Sequence, residues 1–497
     1  MKTLNKTPEI QKFRKTKTAL LICLITLSLA LSSFVWFSDE LWPGGYNFFI
    51  MLKNNIPFAR QMFEKDVYSM PKENLSKPQK IVVTNGERRA VFYNGNSDFN
   101  SLHDIIKPFI AETMRSEDKV ANSQKVSEEE WFNVLRNDEL LDTRSIYVNY
   151  SLSYSTSLFA HMIGLRNSWI SRDISAVKEF TMAPLSENEM LLYIRDSATN
   201  DIFKYHVTYD AAGGFLDAVD SYTKNSDMPA PFSFELNLNK NTEGIGEGVV
   251  QKVFLNAMIT VSTSSVESAV VESENPLIPG GDRADAISDI FRTKTGITRR
   301  YTDSSGVLYF VENYSVLKIY PEGLIEYKAD NESMGIEISD ESVSLYESLN
   351  RAIEFSEKVW SAAAPDEPFN VLVTSDLLES ESGEYHFTLD YYYEGVPVTV
   401  EASSDNFENM NHAVEIDVKD GKIIKYRHFI RKYEKTDKTV TNPSSIEALD
   451  TIYKKYASAE EETQIADIFL SYIEKGDISE KSPVWCAKLQ GTDETVY

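Results

Sequence analysis

One stretch near the N-terminus constrains every other reading of this 497-residue chain. Residues 18–37 (TALLICLITLSLALSSFVWF) run for 20 positions without a charged side chain. As a helix rising about 1.5 Å per residue, the run spans about 30 Å, the thickness of a bilayer's hydrocarbon core. Lys2, Lys6, Lys12, Arg14, Lys15 and Lys17 precede it against Glu9 alone, and Asp39 and Glu40 follow. The positive-inside rule then predicts a cytoplasmic tail at 1–17, a transmembrane helix at 18–37 and the bulk of the chain outside the cell membrane. A cleaved signal peptide is the competing expectation, with an apolar core from Ala19 to Leu31 and a small-x-small site at Ala30-Leu31-Ser32. Phe34, Val35, Trp36 and Phe37 extend the run to spanning length, and Trp36 and Trp42 fall at interfacial depth, which favours a retained single-pass anchor.

The net charge of −26 is uneven: the first 17 residues carry +5, so the remainder carries −31. Phosphate neutralisation needs clustered Lys and Arg, so nucleic acid is excluded as a main partner. Aromatic content of 12% argues against disorder. Cys23 lies inside the apolar run and Cys486 near the C-terminus, so the two are not disulfide partners and ordinary cores must hold the outer region.

Within the apolar run, Ala19, Cys23, Thr26, Ala30 and Ser33 recur at spacings of 4, 3, 4 and 3 and share one helix face. Small side chains let a second transmembrane helix approach closely, and in lipid that packing drives association. Chance alignment of residues common in such helices accounts for the stripe equally well.

Beyond a connector at 38–77, broken by Pro43, Pro57 and Pro71, the pattern predicts three outer units of α+β class. The first, 78–235, opens with two β-rich runs around Asn85-Gly86, a hairpin signal. Leu102, Ile105, Ile106, Phe109 and Ile110 then share a helical face, and Ser127 with Glu130 forms a capping box before Trp131. Strand-like runs follow at 145–151, 158–163, 190–194 and 202–209, and the polar stretch 221–248 reads as a boundary. The units at 245–335 and 340–497 each predict a helix (283–291; 342–360) followed by an antiparallel meander sheet. In the second of these, Phe387, Leu389, Tyr391 and Tyr393 alternate with His386, Thr388 and Asp390, as one buried sheet face requires. Two short helices, at 446–456 and 463–473, and a strand at 484–489 complete the expectation.

Catalytic and metal signatures are missing from the sequence. The six histidines have no metal-ligand spacing, and nothing implies a cofactor. Ser69-Met-Pro-Lys72, Ser404-Asp405-Asn406 and Lys294-Thr295-Gly296 match the three signatures of penicillin-binding enzymes, but Pro71 interrupts the first and the other two come in reversed order. Arg299-Arg300 beside Tyr301 suits either an anion anchor or an exposed strand face. Cys486 reads as a packed thiol. The chain is read as a non-enzyme.

Four segments carry a family resemblance: residues 78–86 after the anchor, the run 291–327, the pair 391–397 (YYYEGVP) and 413–426 (AVEIDVKDGKIIKY), and Ser482-Pro483-Val484-Trp485. In these the chain resembles the YycH family, membrane-anchored regulators of the WalK (YycG) sensor histidine kinase, and its C-terminal part resembles YycI and PepSY-like modules. The resemblance implies no catalytic residues. It implies a two-component system regulator whose anchor helix and outer domains contact the kinase, together with a YycI-like companion. The alternative from a different class is a ligand-binding module of the envelope or cell wall that makes no kinase contact.

Overall fold

The computed structural model describes residues 77–490 and 495–496, apart from 87, 95–96, 137–143, 225–229, 241–252, 278–280, 293–297, 339–343, 379, 381 and 457–461. All of them belong to one compact unit, Met70–Tyr497. The expected tail, the helix at 18–37 and the connector lie outside the described residues.

The first sheet contains β1 (Lys80–Asn85), β2 (Arg88–Tyr93), β3 (Val120–Val126), β4 (Arg144–Ser155), β5 (Ala176–Ser186), β6 (Glu189–Asp196) and β7 (Ile202–Thr208). Its order is β2-β1-β4-β5-β6-β7-β3, antiparallel throughout. Side chains alternate across a strand, so neighbouring residues serve different cores. Ile81, Val83, Ile146 and Val148 face α1 (Ser97–Arg115). The expected helical face is there: Leu102, Ile106, Phe109 and Ile110 are buried, and Ile105 packs at the margin. Val82 and Tyr147 point the other way, into a cluster with Trp131, Phe132 and Leu135 of α2 (Glu128–Leu135). The Ser127 hydroxyl caps α2 by accepting from the Glu130 N–H at 3.2 Å.

Residues 158–163, expected as a strand, belong instead to α3 (Thr156–Met162). Ser155 accepts from the Leu158 N–H and starts the helix, and the apolar run is too short for its periodicity to tell buried helix from buried strand. After α4 (Ala212–Thr223), the polar stretch read as a boundary hides two aromatics. Phe232 and Phe234 join the α2 cluster, with the Phe132 and Phe234 rings stacked 4.1 Å apart. Arg89, fully buried, pairs with Glu235 and donates to the Ala230 carbonyl at 3.1 Å, fastening this segment to β2.

The rest of the chain adds β8 (Val253–Leu255), β9 (Val266–Glu274), α5 (Asp282–Phe291), β10 (Arg299–Thr302), β11 (Leu308–Val311), β12 (Ser315–Ile319), β13 (Leu324–Ala329) and β14 (Ile336–Glu337). Next come α6 (Leu345–Ala363), β15 (Val371–Val373), β16 (Glu384–Tyr393), β17 (Val396–Val400), β18 (Ala402–Ser404), β19 (Phe407–Met410), β20 (Val414–Lys419) and β21 (Lys422–Phe429). The chain finishes with β22 (Lys432–Asn442), α7 (Ser445–Tyr456), β23 (Thr463–Glu474), β24 (Glu480–Lys481), β25 (Val484–Leu489) and β26 (Thr495–Val496). The two expected meanders are parts of one sheet, because β13 pairs with β21 from Leu324↔Phe429 to Lys328↔Lys425. The order runs β10-β11-β12-β13-β21-β20-β16-β17-β23-β25-β26. Asp420-Gly421, both at positive φ, form the two-residue loop that sets the β20–β21 register.

Residues 463–473 form a strand rather than the expected helix. A register shift between Ile465 and Asp467 puts Ile465 and Ile468 on one side at a spacing of three, which imitates a helical repeat. What the sequence did not display was the pairing: β25 on one flank, with β17 and β8 parallel on the other.

Gly323 lies in the turn joining β12 to β13, at φ +97. A Cβ there would come within 2.6 Å of Arg431 Nη1 and 2.8 Å of Asn275 Oδ1. Arg431 is buried, so its guanidinium has no room to yield, and Asn275 would have to give up its bond to the Pro321 carbonyl. Gly323→Ala is expected to destabilise the protein by about 3–5 kcal/mol, the range for disrupting a buried ion pair with backbone strain added. Chemical denaturation of the variant measures this, and a loss under about 1 kcal/mol would contradict the packing described.

Candidate functional surfaces

The transmembrane face read from the sequence (Ala19, Cys23, Thr26, Ala30 and Ser33) lies outside the described residues, as do Ser69, Lys72 and Lys294 to Gly296. Among the described residues no helix is long and apolar enough to cross a membrane. Nor does any group of three or more His, Cys, Asp and Glu side chains converge among them in a way that would hold a metal ion. Ser404 and Asn406 sit at the β18–β19 hairpin, where both donate to Glu322 Oε1, at 3.1 and 2.8 Å; they brace the turn at Pro321. The Cys486 thiol is buried and burial pushes it up to about 12, which leaves it a packing group.

His428, His412 and His386 sit within hydrogen-bond distance of polar side chains, and the geometry decides what each can do. His428 is fully buried between two tyrosines, Nε2 2.8 Å from the Tyr391 hydroxyl and Nδ1 2.8 Å from the Tyr426 hydroxyl. Tyr391 donates to the Phe429 carbonyl at 3.1 Å, so it accepts from an Nε2–H, and Nδ1 accepts from Tyr426. That is a neutral imidazole with both nitrogens occupied, stacked on Trp360, and burial lowers its pKa to about 3. His412 places the same nitrogen, Nδ1, 2.9 Å from Asp390 Oδ2 and 3.2 Å from Thr374 Oγ1. A proton relay requires the carboxylate and the hydroxyl on opposite ring nitrogens, so this cluster is a brace for β15, β16 and the 412–413 loop. His386 is an exposed partner of Asp417, which raises its pKa through their hydrogen bond.

A buried ionic cluster joins distant parts of the chain. Glu474, with no exposed surface, lies 3.8 Å from Arg431 Nε and 3.5 Å from Lys481 Nζ. It also accepts from Ser273 Oγ at 2.8 Å and from the Gly476 N–H at 2.7 Å. Arg431 donates to the carbonyls of Glu322 and Gly476, each at 2.8 Å, and its desolvation lowers its pKa. Every arm of the cluster ends on structure, so its task is to fix β9, β23 and β24 against the turn at Pro321.

One face of the second sheet lies under α5 and α6; the other is open over part of its area, because Arg427 and Thr388 on it are buried and Arg427 donates to the carbonyls of Glu408 and Asn409. Phe310, Leu317, Tyr327, Tyr426, Ile416 and Phe387 form a row beneath α5 and α6, where Phe291 and Phe355 pack on Tyr426. On the opposite face the register sets two rows side by side. One reads Tyr301, Tyr309, Lys318, Glu326, Arg427, Glu415 and Thr388. Its charges alternate and pair: Lys318 with Glu326 at 2.7 Å, and Arg427 with Glu415 at 2.9 Å. The other reads Arg299, Val311, Val316, Lys328, Lys425, Asp417 and His386. Sequence reading noticed Arg299 and Tyr301 but missed Lys328 and Lys425. They lie 97 positions apart, and only the β13–β21 pairing makes them neighbours.

The His428 cage carries a pH signature. Its folded pKa lies below the unfolded value near 6.5, so the stability it contributes is complete above about 6.5 and is lost as the pH falls toward 3. The unfolding free-energy difference between wild type and His428→Gln should shrink by about 1.4 kcal/mol per pH unit between pH 6 and 4. A difference that stays constant over that interval would mean His428 is not held neutral.

No protein-family model matches the chain, and no curated protein sequence matches it. A solved structure does: YycH from Bacillus subtilis, at a TM-score of 0.53 with 11% identity, covering 85% of this chain and 96% of that one. At that identity the likeness is one of fold. The chain shares the mixed α+β, antiparallel-sheet fold of YycH from Bacillus subtilis.

Proposed function

We propose that this chain is a membrane-anchored member of the YycH family that modulates a WalK/YycG-type sensor histidine kinase by protein–protein contact. The observation that carries the reading is the fold shared with YycH over most of both chains, taken with the uncharged run at 18–37 and its basic flank. In this proposal residues 1–17 lie in the cytoplasm, 18–37 cross the membrane once, and 38–77 lead to outer units at 78–235, 245–335 and 340–497. The face formed by Ala19, Cys23, Thr26, Ala30 and Ser33 meets a transmembrane helix of the kinase or of a YycI-like companion.

A regulator of this kind shifts a kinase between states only through different affinity for them, about 1–3 kcal/mol in typical coupled systems. Crosslinking the full-length chain in its own membranes, with mass spectrometry of the captured proteins, tests the proposal. A sensor histidine kinase and a second single-pass protein are expected, and both should be lost when 18–37 is replaced by an unrelated apolar helix. Capture of neither would refute the contact. The paired substitution of Thr26→Leu and Ala30→Leu crowds the small-residue face, so kinase recovery should fall by about fivefold or more at equal expression. Unchanged recovery would remove the face from the mechanism.

A further inference from the structure

We propose that the open face of the second sheet binds an extended polyanion, a phosphodiester-linked polyol chain of the cell envelope, along the row Arg299, Lys328 and Lys425. Lys328 and Lys425 stand directly opposite each other on adjacent strands. Like charges so placed repel, and a sheet ordinarily avoids the arrangement or neutralises it. This sheet does neutralise the neighbouring, more buried row on the same face, where Lys318, Glu326, Arg427 and Glu415 alternate and pair. In the cationic row no carboxylate of the described residues lies within ion-pair distance of Arg299, Lys328 or Lys425. Asp417, opposite Lys425 on its far side, gives its carboxylate to His386. A chain with 76 acidic and 50 basic residues thus leaves three aligned cations unmatched on one face, which is the charge complement of an anionic ligand.

The spacing and surroundings narrow the ligand. With strands about 4.8 Å apart, Lys425 and Lys328 lie one strand apart, and Arg299 lies three strands further, about 14 Å away. The row therefore crosses the strands and suits a linear ligand with repeated charges. Val311 and Val316, half-buried, fill the gap between Arg299 and Lys328. Tyr301, about half exposed, stacks parallel to Tyr309 with ring centres 4.8 Å apart beside Arg299, a platform for polyol or sugar C–H faces. A sheet face offers no free backbone groups, because the in-plane N–H and C=O groups are spent on neighbouring strands. An acidic peptide would lose the main-chain hydrogen bonds that give strand addition its affinity, whereas a phosphodiester polymer needs only the side chains. The choice of an envelope polymer rests on the outer placement proposed above. Binding is read on purified protein, so a failure here leaves the kinase reading untouched.

The experiment titrates full-length protein in nonionic detergent with poly(glycerol phosphate), following thermophoresis at low and high salt. Poly-glutamate and duplex DNA are the comparators. The polymer is expected to bind, to weaken as salt rises, and to lose about tenfold or more in affinity with the paired Lys328→Glu and Lys425→Glu substitutions. Lys358→Glu, exposed on α6 across the sheet, should bind as wild type does. Arg299→Gln, on the exposed edge strand, gives an independent loss should the paired variant misfold. No binding, or wild-type affinity in both the Arg299 and the paired variants, would overturn the proposal. Tighter binding of poly-glutamate would assign the face to an acidic protein instead, and equal binding of duplex DNA would reduce it to an unselective cationic patch.

Discussion

The carboxylate of Glu474 is sealed from solvent, and five groups from three stretches of the chain close on it: Ser273, then Arg431 and Tyr433, then Gly476 and Lys481. An isolated charge at that depth costs several kcal/mol in lost hydration, so the carboxylate is tolerated only with its partners in place. Arg431 completes the arrangement by reaching back to the Glu322 carbonyl and lying 4.1 Å over the Phe429 ring. Phe429 is where β21 begins its pairing with β13. The buried ions therefore hold the join that turns two meanders into one sheet, and that sheet's register decides which side chains share its open face.

A second constraint acts at the other end. The first sheet buries both faces, and the face away from α1 is closed by Phe232 and Phe234 and by the pairing of Arg89 with Glu235. Further on, β8 pairs with β23, so residues 230–236 and β8 each tie the middle of the chain to a sheet. At the end of β4, Ser155 donates to Leu377 and Leu377 to Ser153, each at 2.9 Å, adding a direct seam between the first sheet and the second half.

How far the sequence could be read depended on whether a feature was local. The hairpin at Asn85-Gly86, the Ser127 cap and the helix at α6 are set by neighbouring residues, and each is present in the structure; the alternation along β16 is not, because Thr388 and Asp390 are buried as well as Phe387, Leu389 and Tyr391. The errors had two sources: the strand at 463–473 is fixed by distant pairing and a bulge, and α3 by a capping serine ahead of an apolar run too short for its periodicity to decide. The candidate surface was only half legible, since Arg299 and Tyr301 are adjacent to conspicuous neighbours, while Lys328 and Lys425 meet through tertiary pairing alone. Ser404 and Asn406, from one of the penicillin-binding signatures, brace a turn.

The account rests on the fold shared with YycH, on sealed polar clusters inside, and on an N-terminal run suited to a membrane. Its central claim is that the chain changes the behaviour of a sensor kinase. The most direct test reconstitutes the WalK/YycG-type kinase in liposomes with and without the full-length chain and follows kinase autophosphorylation. The account predicts a rate that changes severalfold when the chain is present and reverts when residues 18–37 are exchanged for an unrelated helix, in line with a coupling of about 1–3 kcal/mol. Identical rates with and without the chain, at matched incorporation, would contradict it.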